Sequence, residues 1–113
     1  MYTLRFRAVN RDIFEAIKHG TKKVETRAAT IKYRNIKAGD AITFSCGKDR
    51  FRRQVKRATI FSTIAGMLKK HRIQDINPKC ATAKELRDMY NAFPEYSEKI
   101  KNFGIIAFEL KNI

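Results

Sequence analysis

Residues 20–27, GTKKVETR, place a lysine, a glutamate and an arginine directly after a glycine that suits the end of a helix. The residues after the glycine are typical of a short strand, on which Glu25 and Arg27 share a face and can pair. Lys22 points to the opposite face of an ideal strand, so it joins them only if the preceding turn or a bulge redirects it. The stretch predicts three ionic side chains converging on a polar ligand, and the alternative is a ladder of surface charges across a sheet.

Short strands and helices alternate outward from this stretch. Residues 2–9 alternate apolar with polar or charged side chains, which predicts a first strand. Asn10 can cap a helix whose apolar positions recur at helical spacing and which ends at Gly20. Residues 47–50 are typical of a hairpin turn. The remaining predicted strands cover residues 22–27, 41–46, 51–61 and 105–110.

Beyond residue 61 the apolar spacing becomes that of helices. Ser62 or Thr63 can cap a helix that continues to about His71. A capping box at residues 82–85 opens another helix, which Pro94 stops. Its apolar positions, which we expect to face the core, are Leu86, Met89, Tyr90 and Phe93.

The pattern favours an α+β fold in a single domain over residues 1–113, since 113 residues match the usual size of one domain. Residues 41–61 read as a tight hairpin, which only antiparallel strands permit. We therefore predict a small, mostly antiparallel β-barrel decorated by two to four helices, because closure removes exposed edges. A parallel α/β sheet is the lower-ranked alternative.

The chain is strongly basic, with 25 Lys and Arg against 11 Asp and Glu and a net charge of +14, which makes polyanions its natural partners. The first half carries most of this charge. Its densest block is predicted to contact phosphates, with Phe51 as a stacking face, although a solvated strand that resists aggregation has the same composition. The candidate phosphate-binding residues are Arg50, Arg52, Arg53, Lys56 and Arg57.

Several classes of protein are not indicated. Cys46 and Cys80 lie 34 positions apart without zinc-site spacing, so we expect two reduced thiols of a cytoplasmic protein and neither metal nor cofactor. The N-terminal pattern contains Arg5 and Arg7 and therefore lacks a signal-peptide core. The longest uncharged run, residues 58–68, is shorter than the ~18 residues of a spanning helix, so no membrane association is expected.

The spacing GxKxxExR at residues 20–27, followed by IxxGDxIxF at residues 36–44, resembles the ASCH family, a PUA-like domain group associated with RNA. The resemblance covers nearly the whole chain and continues into residues 103–110. It implies a PUA-like β-barrel with a cleft between barrel and helices. The residues that it implies for a nucleotide-sized pocket are Lys22, Glu25 and Arg27.

Tyr90 is the fourth nucleotide-binding candidate, because its hydroxyl on an apolar helix face needs a polar partner. The leading interpretation is an RNA- or nucleotide-binding protein, expected to be a monomer.

Two other classes of function stay open, a small hydrolase, either an amidohydrolase or a ribonuclease, and a protein-interaction module. Some ASCH proteins are amidohydrolases that act on N4-acetylcytidine with a Lys, a Thr and a Glu. Lys22 falls on the lysine position, Glu25 occupies the threonine position, and Asp75 lies in a place comparable to the glutamate. Other members are linked to RNA cleavage, for which Lys22, Glu25 and Tyr90 are the groups to test. A protein-interaction module for an acidic partner is the remaining alternative.

Overall fold

The computed structural model describes residues 2–111, in which five strands form one curled sheet and helices pack against it. The strands are β1 Tyr2–Phe6, β2 Val24–Ala28, β3 Ala41–Cys46, β4 Asp49–Phe61 and β5 Ile105–Leu110. A 3₁₀ turn covers Ala8–Asn10. The α-helices are α1 Arg11–His19, α2 Ile64–Leu68, α3 Ile73–Ile76, α4 Ala83–Ala92 and α5 Tyr96–Phe103.

The sheet is a half-barrel with the strand order β1-β3-β4-β5-β2. β1 runs parallel to β3, and the β3–β4, β4–β5 and β5–β2 pairs are antiparallel. The parallel pair is possible because α1 and β2 lie between β1 and β3 in the chain and provide the long crossover that such a pair needs. The mostly antiparallel α+β fold is confirmed. The half-barrel leaves β1 and β2 as its two edge strands.

The strand β5 is buried on both of its faces. Ile106 and Phe108 join the apolar cluster under α1, whereas Ile105 and Ala107 join a second cluster formed with α2 to α5. Successive side chains of a strand point to opposite faces, so a strand covered on both sides reads as one continuous apolar run. The edge strand β2 is held between the same two layers.

Local sequence signals account for the element ends. Gly20 adopts φ 84° directly after α1, as its left-handed position requires. The Thr63 and Thr82 hydroxyls each accept a hydrogen bond from a backbone N–H in the first turn of α2 and α4, respectively. Asn10 precedes α1 as expected, but its side chain makes no capping hydrogen bond.

The structure differs from the predicted elements at several points. β1 ends at Phe6 because the chain turns into the 3₁₀ segment, and β2 starts at Val24 rather than at residue 22. The helix after Thr63 ends at Leu68. α3 and α5 were not predicted, which brings the α-helices to five instead of two to four. α3 has four residues, which are too few to show a helical period in the sequence. α5 begins at Tyr96, directly after the region of Pro94, which was predicted to stop the preceding helix.

Cys46 and Cys80 are buried free thiols. Within residues 2–111, none of the helices combines the length and the apolar character needed to cross a bilayer.

Candidate functional site

A cavity of about 480 Å³ lies where the half-barrel is open, between its two edge strands. β1 and β2 form two of its walls, and the chain segments at α3, α4 and α5 form the rest. We call this cavity the cleft. Its volume is in the range of small-molecule sites, which span about 300–1,000 Å³. The four residues predicted to bind a nucleotide all line it: Lys22, Glu25, Arg27 and Tyr90.

Lys22 lies just before β2, and the turn after Gly20 directs its side chain inward. Its backbone N–H donates to the Ala16 carbonyl, and only 4% of the residue is exposed. The Nζ atom donates to the carbonyl of Val24 at 2.6 Å and to that of Ile76. It also lies 3.3 Å from Glu25 Oε1. The redirection that the sequence demanded is therefore present, and the ammonium uses its three donors within the protein.

Glu25 is 5% exposed and is held between two cations. Its Oε1 accepts a hydrogen bond from the Thr26 N–H at 2.9 Å, and its Oε2 accepts one from Arg27 Nη2 at 3.3 Å. Burial acts to raise the pKa of Glu25, but the charges of Lys22 and Arg27 outweigh it and hold that pKa below its usual range. The site thus contains a buried ionised carboxylate.

Lys22 responds differently to the same surroundings. Burial lowers the pKa of the Lys22 ammonium and outweighs the opposing charge of Glu25, while Arg27 adds a like charge that lowers the pKa further. The pKa of Arg27 is raised, since Glu25 outweighs the effect of burial on the guanidinium. Two cations therefore share one carboxylate, and the cluster of Lys22, Glu25 and Arg27, which we call the ionic cluster, carries an excess positive charge.

Arg27 connects the two edges of the sheet. Its guanidinium carbon lies 5.3 Å from the centre of the Phe6 ring on β1 and 5.7 Å from that of Tyr33. Contacts of this kind fix the orientation of the planar guanidinium. Glu25 and Arg27 point to one face of β2 as predicted, while Thr26 points to the other and contacts α4.

Aromatic side chains form the helical wall. The Tyr90 and Tyr96 rings stack with centroids 6.0 Å apart and an interplanar angle of 7°. The Tyr90 hydroxyl lies 2.5 Å from Thr26 Oγ1, which gives it the polar partner that we expected, and burial raises its pKa. The Tyr96 hydroxyl accepts a hydrogen bond from the Ala28 N–H at 2.9 Å. Both phenols are thus anchored to β2.

Phe93 was predicted to face the core, and this prediction is wrong. It is 38% exposed, lines the cleft and lies tilted against Tyr96 with centroids 5.5 Å apart. α4 ends at Ala92, so Phe93 has left the helical path that would have carried it inward.

Other cleft residues had no signal in the sequence. Arg5 on β1 and Arg7 directly after that strand line the cleft, and Val9 lines it while remaining 74% exposed. The alternating pattern placed these arginines on the outer face of a strand. Only the strand order shows that β1 is an edge strand and that it lies opposite the other edge strand, β2.

The basic block on β4 lies elsewhere. β3 separates β4 from the β1 edge and β5 separates it from the β2 edge, and none of the five predicted phosphate-binding residues lines the cleft. Arg50 and Lys56 are exposed, whereas Arg57 lies 3.6 Å from Glu109 and Arg53 donates to the Lys18 carbonyl. Arg52 is also exposed.

Phe51 does not offer the stacking face that we predicted. Its ring stacks on Phe44 at 5.2 Å, contacts Phe14 at 5.0 Å and is covered by the Arg53 guanidinium at 4.8 Å. The alternation of β4 turns Phe51 toward the apolar cluster under α1.

Of the residues considered for catalysis, only some lie in the cleft. Lys22 and Glu25 are paired in the cleft, whereas Asp75 is not among the residues that line it and lies 4.0 Å from Arg72. Across the part of the chain that the structure describes, no three His, Cys, Asp or Glu side chains gather as metal ligands.

A curled, mostly antiparallel half-barrel flanked by helices, with a charged cleft at its opening, defines a PUA-like domain. The sequence model of the ASCH domain matches residues 8–112, and the chain belongs to the ASCH domain family.

Solved structures show the same fold. The chain is 31% identical to hypothetical protein PH0355, whose crystal structure superposes with a TM-score of 0.84 over 99% of this chain and 98% of that one. It is 29% identical to protein PF0455 from Pyrococcus furiosus, whose solution NMR structure gives a TM-score of 0.75 over 97% and 94% of the two chains. No curated protein matches the chain.

Proposed function

We propose that this protein binds RNA and that one nucleotide enters the cleft, where Glu25 recognises the edge of the base. The observation that carries the proposal is the buried carboxylate of Glu25, held ionised by Lys22 and Arg27 on the wall of a cavity of about 480 Å³. An ionised carboxylate accepts hydrogen bonds only, so it selects ligands that present an amino group. Cytosine N4 is such a donor, and Glu is one of its usual partners in proteins.

The other walls suit the rest of a nucleotide. Arg27 keeps donors beyond the one it gives Glu25, and these can bind a carbonyl or phosphate oxygen beside the base. The partly exposed ring of Tyr96, which stacks on the buried Tyr90, supplies an aromatic surface against which a base can pack. The net charge of +14 attracts a polyanion to the protein.

The basic residues of β4 provide a second contact region in this proposal. They lie across the sheet from the cleft, so they meet phosphates of an RNA longer than the part inside it. Such contacts add affinity without reading sequence. We therefore assign recognition to the cleft and a salt-dependent part of the affinity to Arg50, Arg52, Arg53, Lys56 and Arg57.

Binding fits the geometry better than catalysis. A lysine that acts as a base or nucleophile needs a free electron pair, and the Lys22 ammonium donates to two carbonyls and to Glu25. Its contacts hold Glu25 and join β2 to α3, which is the work of a positioning residue.

The test compares two charge-neutralising variants. Glu25→Gln removes the recognising carboxylate, and Glu98→Gln removes an equal charge from the exposed surface of α5. We expect Glu25→Gln to weaken binding of a cytidine-containing single-stranded RNA about tenfold, since one specific contact to a base is worth about 1–3 kcal/mol. Glu98→Gln should bind like the unaltered protein. Equal binding by all three proteins, measured by fluorescence anisotropy, would contradict the proposal.

A further inference from the structure

We propose that the ligand of the cleft is a single strand of at least two nucleotides, with phosphates on Arg5 and Arg7 and a second base on Phe93. This inference rests on the proposed function and specifies its substrate class. Three features of the cleft rim carry it: two guanidinium groups without partners, one exposed aromatic ring and a cation at the same rim that is already paired.

Arg5 and Arg7 are the cationic groups of the rim that remain available. Both are exposed and both line the cleft. Within residues 2–111, neither guanidinium has an ion pair or a hydrogen bond to the protein. Lys79 lines the same cleft, but its ammonium is paired with Asp12. The β1 wall therefore presents two free forks of donors of the kind that bind phosphate oxygens.

The spacing of the two arginines suits a polymer. Arg5 lies on β1, and Arg7 lies two residues further in the extended segment that follows the strand. The alternation directs both to the same side and separates their Cα atoms by about 7 Å. One phosphate occupies one guanidinium, so two sites along a strand fit successive phosphates of a chain. A free nucleoside, which has no phosphate, would leave both without a ligand.

Phe93 supplies the place for a second base. Its ring is the outermost member of the aromatic series that begins with the stacked Tyr90 and Tyr96 inside the cleft. The ring is 38% exposed, so one of its surfaces is open to the solvent at the rim. Exposed aromatic rings beside a basic track bind successive bases by stacking, whatever the identity of the base.

The first experiment measures the contribution of the phosphate contacts to binding separately from that of the base. The double variant Arg5→Gln/Arg7→Gln is compared with Lys69→Gln/Lys70→Gln, which removes two exposed charges outside the cleft and outside β4. We expect the first variant to bind a cytidine trinucleotide about tenfold more weakly and with a salt slope lower by about 1.4. The lysine variant should bind it within about twofold of the unaltered protein, and cytidine itself should bind all three equally.

The second experiment tests the aromatic contact. Phe93→Ala should weaken trinucleotide binding about tenfold without affecting cytidine, because one stacked base is lost. Phe103→Ala is the control, since Phe103 is also exposed and does not line the cleft. Phe93→Leu keeps the apolar contact with Tyr96 but not the aromatic face, so it should share the binding loss while melting like the unaltered protein.

The results of these experiments can overturn the proposed function and the further inference separately. If neither cytidine nor the trinucleotide binds the unaltered protein, the proposed function is overturned. If both bind but the arginine and Phe93 variants behave like their controls, the proposed function stands and this inference is overturned.

Discussion

The ionic cluster and the basic strand β4 use the same kinds of side chain, but the cluster buries them in fixed contacts and β4 exposes most of them to the solvent. In the ionic cluster, two cations and one anion lie within 3.3 Å contacts and are largely buried. On β4, Arg50 and Lys56 stand in solvent. The first arrangement fixes the direction of each donor and acceptor, whereas the second provides charge without fixed geometry.

The difference teaches where recognition and attraction come from. A base is distinguished by donors and acceptors at set positions, which requires side chains that cannot move. A phosphate backbone is attracted by positive charge from any direction, and that attraction falls as salt is added. The most basic part of the sequence is therefore not the part that selects a ligand in this account.

The largest expected effect follows from removing the lysine of the ionic cluster. Lys22→Met breaks the contacts to Val24, Ile76 and Glu25 and leaves a buried carboxylate with one cation. We expect the free energy of unfolding to fall by about 3 kcal/mol, as for other broken buried ion pairs. Lys23→Met, at the exposed neighbouring position, should change it by less than about 0.5 kcal/mol. Chemical denaturation measures both, and similar losses would show that burial of Lys22 has no special role.

A smaller effect is expected for the pH dependence of the carboxylate. The pKa of Glu25 in the folded protein lies below its ordinary value of 4.5, so its ionised form stabilises the fold above about pH 4.5. That contribution is lost as the pH falls through the lowered pKa. The gap in melting temperature between the unaltered protein and Glu25→Gln should thus be wide at pH 6 and narrow toward pH 3. A gap that stays constant would mean that Glu25 is not ionised in the fold.

The smallest effect is expected on β4. Arg50→Gln/Lys56→Gln should leave the free energy of unfolding within about 0.5 kcal/mol, because both side chains are exposed. Binding of a long single-stranded RNA should lose about 1.4 from its salt slope, and binding of a trinucleotide should not change. Loss of trinucleotide binding would place recognition on β4 and invalidate the comparison.

The sequence predicted the parts of this fold that local chemistry determines. Strands 41–46 and 105–110 and the glycine end of α1 agree with the structure. The predicted hairpin after β3 is present, but its turn covers only residues 47–48 because β4 already starts at Asp49. The convergence of Glu25 and Arg27 also followed from their spacing alone. Each depends on neighbours along the chain, and periodicity records such neighbours directly.

The rest depends on contacts between distant segments. Nothing near Arg5 or Phe93 in the sequence shows that they share a cavity, because β1 and α4 meet only through the order of the strands and helices. Phe51 lies within the basic block but faces the core, since alternation along β4 points it away from Arg50 and Arg52, and the Arg53 guanidinium covers its ring. The density of positive charge in the sequence predicted the basic surface of β4. Which surface borders the cleft depends on the order of the strands, which the sequence did not reveal.

The most direct test of the central claim is an NMR titration of the ¹⁵N-labelled protein with cytidine 5′-monophosphate. The account predicts that the amide signals of residues 22–27 and of Tyr96 shift in a saturable manner while those of β4 stay in place. Shifts confined to β4, or no saturable shift in the cleft, would contradict the claim that the buried carboxylate between two cations is the recognition site.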